Sequence, residues 1–97
     1  MKEAMPLGQL NDLHQYGRML LTQKKPKEAF EAFKMNYDKH PGEFTTNMGM
    51  ARAWSGMGDY KKAMAFLQKA QPQATDQVNK DNIEKCLKLL QEGKDIN

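Results

Sequence analysis

Apolar residues recur at helical spacing along most of the chain. Leu13, Tyr16, Gly17 and Leu20 fall at i, i+3, i+4 and i+7, one face of a helix. Met48, Ala51 and Trp54 repeat that face further on, and one interval separates Tyr16 from Met50 and Gly17 from Ala51. Two further stretches carry the same helical spacing: PKEAFEAFKMNYDK, with Ala29, Phe30 and Phe33 on one side, and YKKAMAFLQKA, with Ala63, Met64 and Leu67. Turn chemistry separates them. Pro26 suits a first helical turn, where its missing N–H leaves nothing unsatisfied. In SGMGDY, Gly58 can end a helix in the left-handed conformation and Asp59 can cap the next. HPGE, with Pro41, stops the second helix.

The pattern therefore predicts two antiparallel helix pairs, 10–43 and 44–77, in register with each other. The period is about 34 residues, the length of one helix–turn–helix unit in a repeat array. Gly17 or Ala51 on a first helix is expected to face Ala29 or Ala63 on the second, so that the backbones approach closely. A third segment, DQVNKDNIEKCLKLLQE (76–92), predicts an amphipathic helix. Its inward face is Ile83, Cys86, Leu87 and Leu90; Lys80, Lys85, Lys88 and Glu92 point outward; Gly93 ends it. Residues 78–97 then cover the bare apolar face of the second pair. KEAMPLG, near the start, reads as the closing turn of a preceding pair, which makes 1–9 a remnant of another repeat and the chain the C-terminal piece of something longer.

One family matches this arrangement. The sixteen motif positions are Leu13, Tyr16, Gly17, Leu20, Ala29, Phe33, Asn36 and Pro41, then Asn47, Met50, Ala51, Trp54, Ala63, Leu67, Ala70 and Thr75. Thirteen of them have the residue types of the tetratricopeptide repeat, which the chain resembles; Asn36, Asn47 and Thr75 depart from it. The resemblance implies an all-α helical-hairpin solenoid, two repeats plus a C-terminal capping helix in an alpha-alpha superhelix. It also implies a concave groove lined by the first helix of each pair, used for protein or peptide binding. LHQYGRMLL and EGKDIN are similar to the ends of exported Bacteroidetes proteins; that likeness implies an exported parent but no activity.

Composition narrows the chemistry. Fifteen basic and twelve acidic residues leave a net charge of +3, too mixed for a chain built around phosphate binding. Lys24, Lys25 and Lys27 have no interleaved aromatics for base stacking, and the first two sit at a helix C-terminus, where positive charge is favoured; nucleic acid is not expected as a partner. No apolar run approaches the roughly 18 residues that a membrane span needs, so no membrane insertion is expected. The lone Cys86 lies on an apolar stripe and reads as a structural thiol. The eight methionines read as packing. His14 and His40 have no Cys or carboxylate at ligand spacing, no phosphate loop follows SGMGD, and Ser55 and Thr22 sit at helix ends without a base. Neither catalysis, nor a cofactor, nor a metal is expected.

One feature rises above this background. Thirteen lysines accompany only two arginines, Arg18 and Arg52, which lie one full period apart and so occupy the same place in the two copies. By the resemblance that place faces the groove. Asn11, His14 and Arg18 would then stand beside Thr45, Met48, Arg52 and Ser55. Two guanidinium forks suit an acidic or C-terminal carboxylate-bearing peptide. Alternatively they pair with internal carboxylates and tie the hairpins together. The chaperone-tail clamp of some family members uses Lys and Asn where this chain has His14, Arg18 and Gly49, so that ligand is not supported. The competing role is structural: a scaffold, or weak self-association through the open N-terminal face.

Overall fold

The computed structural model describes residues 10–97, and Leu10 and Asn11 are described in their backbone only. The readings of 1–9 lie outside the described residues. Among the described residues five α-helices follow one another: α1 (Leu10–Thr22), α2 (Pro26–Lys39), α3 (Phe44–Gly56), α4 (Tyr60–Ala70) and α5 (Gln77–Gln91), with a 3-10 turn at Gln71–Gln73. Among the described residues there is no strand.

Local chemistry accounts for where the helices start and stop. Pro26 opens α2. Asp59 caps α4 by accepting from the Lys62 N–H, and Asp76 caps α5 by accepting from the Asn79 N–H. The ends of α1, α3 and α5 use one device. The Lys24 N–H donates to the Leu21 carbonyl and the Lys25 N–H to that of Leu20; Gly58 and Asp59 repeat this on Ser55 and Trp54, and Gly93 and Lys94 on Leu90 and Leu89. The pivot residue is left-handed each time: Lys24 (φ 61°), Gly58 (φ 86°) and Gly93 (φ 76°).

α1 packs against α2 and α3 against α4 as two hairpins, and α2 and α1 both lie against α3. The core divides accordingly. Leu20, Ala29, Ala32, Phe33, Met50 and Ala53 form one cluster; Met48, Ala51, Ala63, Leu67, Ala70, Ala74, Ile83, Cys86 and Leu90 form the other. Helix α3 belongs to both, so residues 46–51 are all buried, including Thr46 and Asn47. Half-buried Trp54 packs against both clusters and meets Phe30 edge-on at 4.6 Å. Ile83, Cys86 and Leu90 of α5 cover the second hairpin.

The polar residues on α3 have structural work. The Thr46 hydroxyl donates to the His40 carbonyl at 2.6 Å, fastening the loop between hairpins. Asn47, off-pattern for the repeat, donates to Gln73 at 2.9 Å, and Gln73 donates on to the Gly42 carbonyl at 2.7 Å. That chain ties α3 to both flanking connections.

The notch at Gly17 is filled by the Phe33 ring: a Cβ on Gly17 would lie 2.6–2.8 Å from three ring carbons. One sequence reading needs correcting. The methionines are not all packing, since Met19, Met35 and Met57 are exposed; at Met19 and Met35 the unbranched side chain satisfies helix propensity without needing a core contact, and Met57 lies just past the end of α3.

Candidate peptide-binding groove

Phe33 positions the first functional side chain. Its ring also fills the space at Gly49, where a Cβ would come within 2.7 Å of the ring and 3.4 Å of the His14 Nδ1. α3 can therefore lie close against α1, with the His14 imidazole edge-on to Phe33 at 5.5 Å. One turn further along α1 is Arg18, exposed; on α3 its counterpart Arg52 is half-buried.

A cleft of about 270 Å³ opens between these helices and α5, lined by His14, Gln15, Arg18, Phe44, Thr45, Met48, Arg52, Asn79 and Asn82. Five residues expected in the groove, His14, Arg18, Thr45, Met48 and Arg52, therefore share one wall. Met48 is 6% exposed and forms floor rather than free apolar surface; the half-buried Phe44 beside it is the larger apolar contributor. Asn11 has no described side chain. Ser55 does not reach this cleft: it is 2% exposed and bonded to residues 95 and 96. It sits two turns from Met48 and on the side of α3 that the segment after α5 covers.

Phe44, Asn79 and Asn82 were not among the expected site residues. Phe44 carries a usable signal, since it stands one helical turn before Met48 on the same face. Asn79 and Asn82, at i and i+3 on α5, could be placed in the groove only by knowing how α5 docks.

The cleft is electropositive. Among the described residues neither Arg18 nor Arg52 makes an ion pair with a carboxylate. Burial, then the Arg52 and Arg18 guanidiniums, hold the His14 imidazole down at about 4, so it is neutral at pH 7. Burial, then Arg18, also pull Arg52 below its ordinary value. Burial pushes the Cys86 thiol up, which keeps it protonated and inert. The Arg52 Nε and His14 Nδ1 are buried without a protein hydrogen-bond partner. Guanidinium donors, two amides and a threonine hydroxyl facing one space form a donor-rich surface for an oxyanion. Among the described residues no group of His, Cys, Asp and Glu could hold a metal.

The tetratricopeptide repeat family matches residues 20–80, more than half of the chain. The chain belongs to the tetratricopeptide repeat family. No curated protein and no solved structure matches it. The family's repeats generally serve as non-catalytic protein-interaction modules, and the paired hairpins with a capping helix are the architecture of such a module. No described helix is long and apolar enough to cross a membrane.

Proposed function

We propose that this repeat chain binds an acidic segment of a partner protein in the cleft between α1, α3 and α5. Arg18 and Arg52 grip a carboxylate, of a side chain or a chain terminus. Thr45, Asn79 and Asn82 supply neutral hydrogen bonds, and Phe44 supplies the apolar contact. The observation that supports this most is the pair of arginines in register with no carboxylate partner among the described residues. Two like charges kept side by side, one of them half-buried, oppose folding unless an anion relieves them. A cleft this small supports micromolar or weaker affinity.

The test is the double variant Arg18→Ala/Arg52→Ala, assayed for helicity, melting temperature and capture of a fluorescent acidic peptide. Groove binding expects unchanged or raised stability and lost capture. A scaffold role expects lowered stability instead, and equal capture by both proteins would remove the groove reading. Export rests on the resemblance of LHQYGRMLL and EGKDIN; fractionation of the producing cells into periplasm and cytoplasm tests it.

A further inference from the structure

Arg18 and Arg52 also form one wall of a second cleft, about 240 Å³, whose other residues are Leu21, Thr22, Ile96 and Asn97. This part of the groove holds a stretch of the chain itself. After the left-handed turn at Gly93, the backbone leaves α5 and runs along the C-terminal end of α3. The Ser55 hydroxyl donates to the Asp95 carboxylate at 2.5 Å and accepts the Ile96 N–H at 3.0 Å. The Asn97 amide donates to the Arg52 carbonyl at 3.0 Å. Ile96 packs, partly buried, against the second core cluster.

We infer that the end of α3 is a binding site for an extended acidic–aliphatic–amide segment of a partner chain, and that residues 95–97 are its built-in competitor. Three features carry this. The contacts are those of a bound peptide: a side-chain hydroxyl reading a carboxylate and a backbone N–H, a backbone carbonyl reading an amide, and one apolar anchor. The seat is loosely filled, with the 240 Å³ cleft on one side and another of about 430 Å³ on the other, lined by Leu21, Lys24, Pro26, Gly56, Asp95 and Asn97. The site is also peculiar to the second hairpin. Ser55 stands where the first hairpin has Leu21, which carries no hydroxyl to read a carboxylate or an N–H; Gly56 beside it makes room for the Leu21 side chain, 2.7 Å from where its Cβ would be, while the Asn97 amide lies at an ordinary 3.7 Å. The arginine cleft and this seat adjoin, so a segment lying along the groove engages both after displacing residues 95–97. The partner's identity as a protein rests on the proposed function above, but the seat does not depend on the arginine side chains.

The probe is a fluorescein-labelled peptide, EGKDIN. Asp95→Ala/Ile96→Ser in the full chain disables the competitor and leaves the seat intact; Asp95→Ala alone is the milder variant, should the double one lose helicity. Saturable binding by either folded variant is expected, with amide shifts at Arg52, Ser55 and Gly56. Wild type should bind about fivefold more weakly or worse, since a tethered segment competes at millimolar effective concentration. Adding Ser55→Ala should abolish binding, whereas Arg18→Ala should not. Absent saturable binding in both variants, or equal binding by wild type and variant, overturns the inference. Dimerisation of wild type that Asp95→Ala removes also overturns it, by making a second copy the occupant.

Discussion

In the first hairpin a phenyl ring, Phe33, fills the space above Gly17, while at the matching place in the second the smaller Leu67 shares a cluster with Ala51. Large side chain meets no side chain in one copy; medium meets small in the other. The total volume is conserved although neither residue is. The turns differ in the same instructive way, because Lys24 occupies in the first hairpin the left-handed position that Gly58 occupies in the second. So the repeat preserves geometry rather than residues, and the first hairpin holds it under more strain. The functional wall is asymmetric too. His14 stands where the second hairpin has Met48, and Leu21 where it has Ser55. That asymmetry gives the groove a half-buried neutral imidazole at one end and the proposed peptide seat at the other.

The volume exchange can be broken directly. Gly17→Ala forces a Cβ into the Phe33 ring and should lower stability by about 1–3 kcal/mol in urea unfolding. Adding Phe33→Leu should restore much of the loss, a coupling of about 1–2 kcal/mol that a double-mutant cycle measures. Independent, additive losses would show that ring and notch are not exchanging volume.

His14 sharpens the comparison of the two walls. Its folded value of about 4 lies below the unfolded 6.5, so the unfolded chain binds the proton more readily. The associated stability is complete above pH 6.5 and is lost as pH falls through about 4. The loss should reach roughly 1–3 kcal/mol, reduced by partial exposure. His14→Met, which copies the second hairpin, should flatten that stretch of the pH–stability curve. An anion in the arginine cleft should raise the His14 value, visible as a shift of its imidazole resonances on titration.

The turns offer a smaller effect. Lys24→Gly relieves a left-handed lysine and should raise stability by about 1 kcal/mol, while Gly58→Lys should lower it by a similar amount. Smaller still is the Lys62 ammonium lying 4.3 Å over the Trp54 ring. Lys62→Ala should cost about 0.5–1 kcal/mol, measured as a small drop in melting midpoint.

How far the sequence carried the reading depends on the range of the interaction. The helix pairs, their caps at Asp59 and the stop at Gly93 follow from contacts a few residues long. The same holds for the buried face of α5 at Ile83, Cys86 and Leu90. That His14, Arg18 and Arg52 line one cleft was legible too, because the period repeats a position as faithfully as it repeats a helix. Gly17 is legible as a notch, but periodicity marks a gap without saying that the Phe33 ring fills it. Lys24 gave no warning of its left-handed backbone, as lysine carries no preference for it.

Period and turn chemistry in the sequence thus determined five helices, two hairpins and an arginine pair in matching register, since each depends on spacing along one segment. Only the tertiary structure decided that α3 serves both cores, that Asn79 and Asn82 close the arginine cleft, and that Ser55 is held by Asp95 and Ile96. Those outcomes depend on the angle at which α5 docks and on where the chain turns after Gly93. Packing of α5 on α4 sets the first and the Ser55–Asp95 contact, 40 residues apart, the second; no local pattern encodes either.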